Sequence, residues 1–380
     1  MSREPVTTTP SAPSQPTAQA AELLHMSVGP HLRHSDTVAG TMLSVAAALV
    51  PALVASVAFF GIKSAVLVAA SVASCVLTEW LILWLLIKRP RAIADCSAVA
   101  TGLLLAFTLP PGLPVWMAVL ASVFAVGVVK MPFGGLGGNF LNPAMAGRVF
   151  LMVCYPAALH AFVSPASGSM CGLPPETLDL LAGKIDGVAG ATPLAAFNMI
   201  TTALSSPEML DEQNFHIMDF QDALVPMFLG RTGGCIGETS ALALIVGAAF
   251  LWYRRVIGFK IPATYLTTML VLSWLFNGTG SLVTTEAFIV PVYHILGGGV
   301  LLGALFMATD PVTSPVTPFG KILFGTGCGV LTFLFRKVGG HVEGVAYAIV
   351  LMNLTVPLIN RFTCPRAYGT RRRRAKGVLA

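Results

Sequence analysis

A threonine between small residues and a proline is the first feature of the sequence that could support covalent chemistry. The segment DGVAGATP begins at Asp186 and places Thr192 directly after Gly190 and Ala191. These small neighbours leave the hydroxyl open to a bulky reagent, and Pro193 disfavours helical geometry at the residue before it. The same pattern is typical of a helix N-cap followed by proline at the first helical position. The residues alone leave both interpretations of Thr192 open.

A glycine-rich segment at residues 134–143, GGLGGNFLNP, suggests a phosphate-binding loop. No strand pattern precedes it and no Lys-Ser/Thr pair follows it, so the nucleotide-binding motifs lack their required context. We interpret the segment as a break before a helix, where Asn139 and Asn142 offer amide donors to a planar polar ligand. Helix capping and close helix packing are the structural alternatives.

Several ionisable residues fall inside or beside long apolar segments, where charge is costly and often functional. Asp310 follows Thr309 and precedes a proline, so freed carbonyls, a hydroxyl and a carboxylate could together bind a cation such as Na⁺. Capping of the next turn, or a place at the membrane boundary, would also explain Asp310. For Glu79 we weigh an ion pair inside the bundle against a ligand role. Glu238 and the buried candidate His294 complete the set.

The composition predicts an all-α membrane protein that crosses the bilayer many times. Of 380 residues, 55% are hydrophobic and only 11% are charged, with a mean hydropathy of +0.78. Soluble domains carry roughly a quarter charged residues, and the long apolar runs lack the period-two alternation of a β-barrel. The seven cysteines include no CxxC pair, which argues against a disulfide or metal framework.

Ten apolar segments are candidate transmembrane helices, since a bilayer core needs about 20 helical residues. They span residues 38–60, 64–87, 95–110, 114–130, 141–163, 236–253, 259–277, 285–308, 319–336 and 343–361. Five of them belong to a first half, 36–163, and five to a second half, 231–361. Each half contains an apolar helix, a proline-rich break and another apolar helix, at 103–129 and 301–331. This pattern predicts two inverted five-helix repeats with a site near the bilayer midplane.

Basic residues predict the orientation, with both termini on the cytoplasmic side. Clusters after 87, around 254–260 and at 371–376 then all face the cytoplasm, whereas Arg336 and Lys337 are exceptions. The net charge of +6 is thereby explained by topology and contact with anionic membrane lipid, and no nucleic acid is expected. A polar tail, 1–35, is predicted to be disordered. The acidic segment 164–230 is predicted to be a periplasmic loop, and 362–380 a basic cytoplasmic tail.

Seven blocks of the sequence, in order, resemble a known family of redox membrane subunits. It contains the D subunit of the Rnf ion-translocating electron-transport complex and the B subunit of the Na⁺-pumping NADH:quinone reductase. The blocks are GPHLRHSDTVAGTML, SAVATGLLLAFTLPPGLPVWMAVL, FGGLGGNFLNPAMAGR, DGVAGATPL, GGCIGETSALAL, MATDPVTSPVTPFGK and EGVAYAIVLMNLTVPLI. The MATDPVTSPVTPFGK block and the modest N-terminal tail are closer to the Rnf proteins.

The resemblance implies a fold similar to urea transporters and an FMN joined through its phosphate to a threonine. The attachment pattern D-x-x-[ST]-G-A-[TS] falls on Asp186 to Thr192, with Gly190 and Ala191 matching and Ala189 replacing the usual Ser or Thr. A separate flavin transferase performs the attachment in this family. A second, non-covalent riboflavin is also implied, and we expect it near Asn139, Asn142 and the break at Thr309–Asp310.

The resemblance implies an inner-membrane subunit of a complex that exchanges electrons between ferredoxin and NAD and moves Na⁺ or H⁺. Electrons would enter the FMN on Thr192 and pass to the buried flavin, with Asp310 as the candidate on the ion path. The other Rnf proteins (A, B, C, E and G) would supply the NAD site and the iron–sulfur centres. Two alternatives remain: a protein like the B subunit of the quinone reductase, and a solute channel of the urea-transporter type.

Overall fold

The computed structural model of the chain describes residues 37–87, 95–162, 218–230, 232–238, 240–277, 285–338 and 344–365. Within these ranges the regular structure is entirely helical, as the composition predicts. The segment that contains Asp186, Gly190, Ala191 and Thr192 lies outside the described residues. The FMN attachment site therefore stays a prediction from sequence.

The described part of the first half contains six helices, two of which continue into a wider π-helical turn. Their bounds are α1 Val38–Phe60, α2 Ile62–Ile82 with a π turn Leu83–Ile87, α3 Ser97–Phe107, α4 Val115–Phe124 with a π turn Ala125–Lys130, α5 Pro143–Cys154 and the short α6 Pro156–Leu159. Gly61, at φ 75°, joins α1 to α2 as a single-residue connection. A left-handed conformation of this kind favours glycine.

The described part of the second half contains six helices, and a further helix precedes it. The bounds are α7 Met218–Leu229, α8 Ala241–Tyr253, α9 Lys260–Asn277, α10 Thr285–Leu296, α11 Val300–Leu302 with a π turn Gly303–Met307, α12 Pro318–Lys337 and α13 Val345–Thr363. Helix α7 occupies the end of the segment 164–230 that we predicted as a loop.

Helices lie within all ten predicted segments, but two of the predictions were too long. The segment 285–308 is broken, because α10 and α11 meet at an angle of 64° around Gly298 and Gly299, which both have positive φ. The segment 141–163 ends as a regular helix at Cys154, where Pro156 starts a new short turn. Four described helices are long and apolar enough to cross a membrane, or five if the bent pair counts as one. The number of crossings stays a prediction.

Small residues let neighbouring helices pack closely, as in other membrane bundles. Gly102 of α3 faces α2 so tightly that an added Cβ would lie 2.7 Å from the Cα of Val72. Gly325 and Gly329 of α12 face α9 in the same way, against Thr264 and Thr268. These contacts hold α3 close to α2 and α12 close to α9.

Candidate functional site

A cavity of about 60 Å³ lies at one end of the described helices. Its wall contains residues from the starts of α1, α3 and α5 and from the ends of α4 and α8, so consecutive helices alternate in direction there. The polar wall residues are Thr41, Ser97, Thr101, Lys130, Asn139, Asn142, Thr309 and Asp310. The wall therefore combines Asn139 and Asn142 of the glycine-rich segment with Thr309 and Asp310, the four residues near which we expected a ligand. The two pairs are far apart in sequence.

Asn142 begins α5 and also ties the two halves of the chain together. Its Oδ1 accepts hydrogen bonds from the backbone N–H of Ala144 at 3.0 Å and of Met145 at 3.4 Å, with Pro143 at the first helical position. Its Nδ2 donates to the carbonyl of Met307, 3.2 Å away at the end of the π turn after α11. The capping alternative is therefore correct for this residue, and one of its amide hydrogens is already used.

Asn139 carries the unsatisfied polar atom of the cavity wall. Its Nδ2 donates to the carbonyl of Leu141 at 3.2 Å, whereas its buried Oδ1 accepts no hydrogen bond from the described residues. A buried acceptor without a donor is costly and uncommon. The Asn139 Nδ2 keeps a second N–H beyond its bond to Leu141, so the amide-donor role stays a prediction, and the buried Oδ1 is an additional acceptor that a ligand could use.

Asp310 and Thr309 also lie on the cavity wall, and both side chains are partly engaged in local bonds. The Asp310 carboxylate accepts from the backbone N–H of Val312 at 3.4 Å and from the Thr313 hydroxyl at 3.0 Å. Thr309 donates its hydroxyl to the carbonyl of Leu305 at 2.7 Å. The capping alternative for Asp310 is thus confirmed, and its side chain also lies on the cavity wall.

The described residues contain no group of three His, Cys, Asp or Glu side chains that could hold a metal ion. A cation at Asp310 would therefore depend on carbonyl and hydroxyl oxygens in addition to this one carboxylate. The cavity volume accommodates roughly four water molecules. A tricyclic flavin ring would enter only if the wall side chains moved apart.

Three buried basic residues in the described ranges were not singled out from the sequence as functional. Lys130 forms an ion pair with Glu79, with 2.8 Å between Nζ and Oε1, so the pairing interpretation of Glu79 is correct. Arg148 of α5 donates to the Thr108 carbonyl at the end of α3. Arg336 of α12 is 4% exposed and donates to carbonyls at the break between α10 and α11. The sequence signal that could have identified these three residues was a basic side chain inside or at the end of a predicted transmembrane segment.

The contacts of Arg336 explain why this basic residue does not follow the predicted orientation, in which basic residues face the cytoplasm. Its guanidinium bonds the carbonyls of His294 at 2.6 Å and of Gly297 and Gly298 at 3.0 Å. It caps a helix end inside the bundle and so does not report on the side of the membrane. His294 itself is buried at 3% exposure.

Glu238 lies in the turn before α8 and packs against the same break. Helix α8 begins after Ser240, whose hydroxyl accepts from the Ala243 N–H at 3.3 Å. The Glu238 carboxylate fills the space that a Cβ on Gly299 would occupy. Glu238 and Arg148 share a second, small cavity of about 10 Å³ that includes Met307. Met307 lines this small cavity, and its carbonyl accepts the hydrogen bond from Asn142 of the larger one.

Comparisons with known proteins identify the family of the chain. The family model described as "NQR2, RnfD, RnfE family" matches residues 25–369. The D subunit of the Na⁺-translocating ferredoxin:NAD⁺ oxidoreductase complex of Acetobacterium woodii is 41% identical, covering 91% of this chain and 95% of the relative. The D subunit of the proton-translocating complex of Clostridium ljungdahlii is 39% identical over 91% and 96%.

A third relative is the D subunit of an ion-translocating oxidoreductase complex of Stutzerimonas stutzeri, at 40% identity over 89% of this chain and 94% of the relative. The similarity thus extends over nearly the full length of each protein, and the cavity and its wall residues fall inside the matched region. The chain belongs to the NQR2, RnfD, RnfE family.

Proposed function

We propose that this chain is the membrane flavoprotein subunit of an ion-translocating ferredoxin:NAD oxidoreductase of the Rnf type. It would reside in the bacterial inner membrane with both termini in the cytoplasm and ten crossings in two inverted five-helix repeats. The names of the relatives support this role. Short helices that end at breaks, such as α3 and α11, support a fold of discontinuous helices around a central site.

The observation that carries the proposal is the cavity with the unsatisfied Asn139 acceptor. An isoalloxazine ring has apolar faces and a polar edge with an imide N–H. Its chemistry matches the apolar wall and the free Oδ1 of Asn139, and its size requires the wall side chains to move apart on binding. Lys130 and Asp310 place a basic and an acidic side chain on the same wall. A flavin bound there would supply one-electron and two-electron redox chemistry, while the protein would orient it and exclude water.

The covalent FMN is proposed on Thr192, with Asp186, Gly190 and Ala191 as the attachment motif. A flavin transferase would form the phosphoester, so Thr192 is a modification site and not a catalytic nucleophile. The other proteins of the complex (A, B, C, E and G) would provide the NAD site and the iron–sulfur centres. Asp310 is proposed on the path of Na⁺ or H⁺, because electrons entering an apolar cavity favour a compensating cation.

In-gel flavin fluorescence tests the covalent part of this proposal. The full-length chain, co-expressed with a competent flavin transferase, should fluoresce on a denaturing gel, and Thr192→Ala should abolish the signal. Thr192→Ser is the matched control, since it retains a hydroxyl acceptor and should keep a signal. Fluorescence that persists in Thr192→Ala would remove this attachment point. A wild-type chain without covalent or releasable flavin would favour the solute-channel alternative.

A further inference from the structure

The connection between α8 and α9, residues 254–259, is a basic turn with no acidic residue near it in sequence. Arg254 and Arg255 follow the last residue of α8, and Lys260 is the first residue of α9. All three side chains are exposed, and none of them forms a hydrogen bond or an ion pair with a described residue. The sequence contains no acidic residue between Glu238 and Glu286. The positive charge of this turn is therefore left uncompensated by its surroundings in the chain.

Exposed aromatic rings flank the basic side chains of the turn. Trp252 and Phe259 are 61% and 65% exposed, and their rings lie against each other with centroids 5.7 Å apart. Tyr253, between Trp252 and the arginines, is 86% exposed. Aromatic rings beside basic residues are typical of the level at which a membrane protein meets lipid headgroups. A solvated loop would gain nothing from exposing three large rings.

The outer face of α8 continues the aromatic group as an apolar strip. Leu242, Ile245, Val246 and Phe250 follow helical spacing on one face and are each 41% to 51% exposed. In a membrane helix such a face contacts acyl chains. A lipid lying along this strip would bring its headgroup to the level of the basic turn. This continuity favours a lipid over a soluble acidic partner.

The turn presents its arginines from a fixed backbone. The Arg255 N–H donates to the Trp252 carbonyl at 2.9 Å, and the Val256 N–H donates to the Leu251 carbonyl at 3.0 Å. Val256 and Ile257 line the larger cavity, so the inner side of the turn is packed against the bundle. Arg255 has φ 58°, a left-handed conformation that is uncommon for arginine. The turn is thereby closed in a shape that directs its cations outwards.

We propose that this turn binds the headgroup of an anionic phospholipid whose acyl chains lie along the outer face of α8. The guanidinium groups of Arg254 and Arg255 can each donate two parallel hydrogen bonds to phosphate oxygens, and Lys260 adds a compact charge. The rings of Trp252 and Phe259 pack at the level between the phosphate and the acyl chains. The proposal goes beyond the redox role and requires only that the chain lies in a membrane.

Lipid binding by the purified full-length chain tests the proposal. Delipidated protein in detergent is titrated with phosphatidylglycerol, or with phosphatidylcholine of the same acyl chains, and bound lipid is counted by native mass spectrometry. Arg254→Gln and Arg255→Gln should each weaken phosphatidylglycerol binding about fivefold, because a basic residue near an anionic lipid surface contributes about that factor. The double variant should weaken it at least about tenfold and leave phosphatidylcholine binding unchanged. Equal binding of the two lipids by the wild type would overturn the proposal.

Arg361 provides a matched control, because it is an exposed arginine near the end of α13 and outside the turn. Arg361→Gln removes the same charge and should leave the affinity for phosphatidylglycerol unchanged. A loss equal to that of Arg255→Gln would show general attraction to positive charge and overturn the site. Trp252→Leu retains every cation and should weaken the binding of both lipids. Displacement of the lipid by an equal concentration of inorganic phosphate would also contradict a lipid site.

The assembled complex distinguishes a lipid from an acidic surface of a partner subunit. The complex that carries the double variant Arg254→Gln/Arg255→Gln should retain its subunits and lose bound phosphatidylglycerol in native mass spectra. Loss of a subunit at an unchanged lipid count would assign the turn to a protein partner and overturn the proposal. Melting temperatures in lipid-free detergent should stay at the wild-type value, because both side chains are exposed. If one arginine variant unfolds, Lys260→Gln tests the same site and should also weaken binding about fivefold.

Discussion

Asn142 and Met307 are 165 residues apart in sequence and joined by a hydrogen bond of 3.2 Å from side-chain Nδ2 to backbone oxygen. The bond connects the start of α5 to the end of the π turn after α11. It satisfies a carbonyl exposed by a helix break and fixes the position of Asn142 on the cavity wall. One side chain therefore caps its own helix and links the two halves of the chain.

Substitution of Asn142 should lower stability in two steps. Asn142→Ser keeps a capping oxygen and loses the bond to Met307, whereas Asn142→Ala loses both. We expect apparent melting temperatures in detergent to decrease in the order Asn, Ser, Ala. Each step should cost about 1 kcal/mol, the usual value for a cap or a neutral hydrogen bond. Equal stability of the Ser and Ala variants would show that the cap contributes nothing.

Arg336→Met should destabilise the protein strongly. The substitution leaves carbonyls of His294, Gly297 and Gly298 without their donor inside the bundle. Each unsatisfied buried group costs about 1–3 kcal/mol, so a loss of at least about 3 kcal/mol is expected in thermal or denaturant unfolding. The neighbouring exposed residue offers the control: Lys337→Met should change stability by no more than about 0.5 kcal/mol. A comparable effect of the two variants would contradict the capping role of Arg336.

Gly102→Ala should separate α2 from α3. The new Cβ would lie 2.7 Å from the Cα of Val72, and a backbone atom cannot move aside as a flexible side chain can. Overpacking of this kind costs about 1–3 kcal/mol. In Gly127→Ala the nearest atom is a side-chain methyl of Thr78 at 3.6 Å, an ordinary contact, so little change in melting temperature is expected. A stable Gly102→Ala variant would refute the close packing.

Filling the cavity should remove the non-covalent flavin and leave the covalent one. Ala100 is 4% exposed and lies on the cavity wall, so Ala100→Phe directs a ring into the space. Chromatography of flavin released on denaturation should show a large loss of riboflavin, while in-gel fluorescence from Thr192 stays. Ala100→Ser, with nearly the native volume, is the control. Full riboflavin content in Ala100→Phe would exclude this cavity as the binding site.

Asp310→Asn should reduce coupled ion uptake several-fold more than it reduces flavin content. The amide retains an oxygen that can accept from the Val312 N–H, so the local turn is kept while the charge is removed. Thr313→Val is the complementary control, because it removes a hydrogen bond to Asp310 and keeps the carboxylate. Ion uptake into vesicles that contain the assembled complex would be measured for both variants, Asp310→Asn and Thr313→Val. Uptake equal to the wild type in Asp310→Asn would eliminate the ion role.

Hydropathy was sufficient to locate the helices, because long apolar runs have few other stable structures in a membrane. It missed the break between α10 and α11, since both sides are apolar and only the glycines at 297–299 mark it. Hydropathy also could not show that Lys130 pairs with Glu79. In sequence, a single charged residue at the end of an apolar segment looks like a residue at the membrane boundary. Only the structure shows that its partner lies on another helix.

One cavity wall contains Asn139 and Asn142 together with Thr309 and Asp310, which we expected to lie near one another, while the inverted repeats stay a prediction. The roles of individual atoms were less predictable. The Asn139 amide nitrogen gives one of its two hydrogens to the Leu141 carbonyl, whereas its buried Oδ1, which accepts no hydrogen bond from the described residues, was not anticipated. Such details depend on side-chain rotamers and neighbours that residue types and spacing do not determine.

Three of the described helices end in a wide π turn, and two of these turns contribute residues to the cavity wall, Lys130 and Phe306. A π turn accommodates one residue more than an α turn. Conversion of one of these turns to regular α geometry would advance the following backbone by one residue, an axial shift of about 1.5 Å. The helix body could stay seated on its neighbours during that change. Lys130 and Phe306 therefore reach the cavity from turns in which the backbone holds one residue more than an α-helix would.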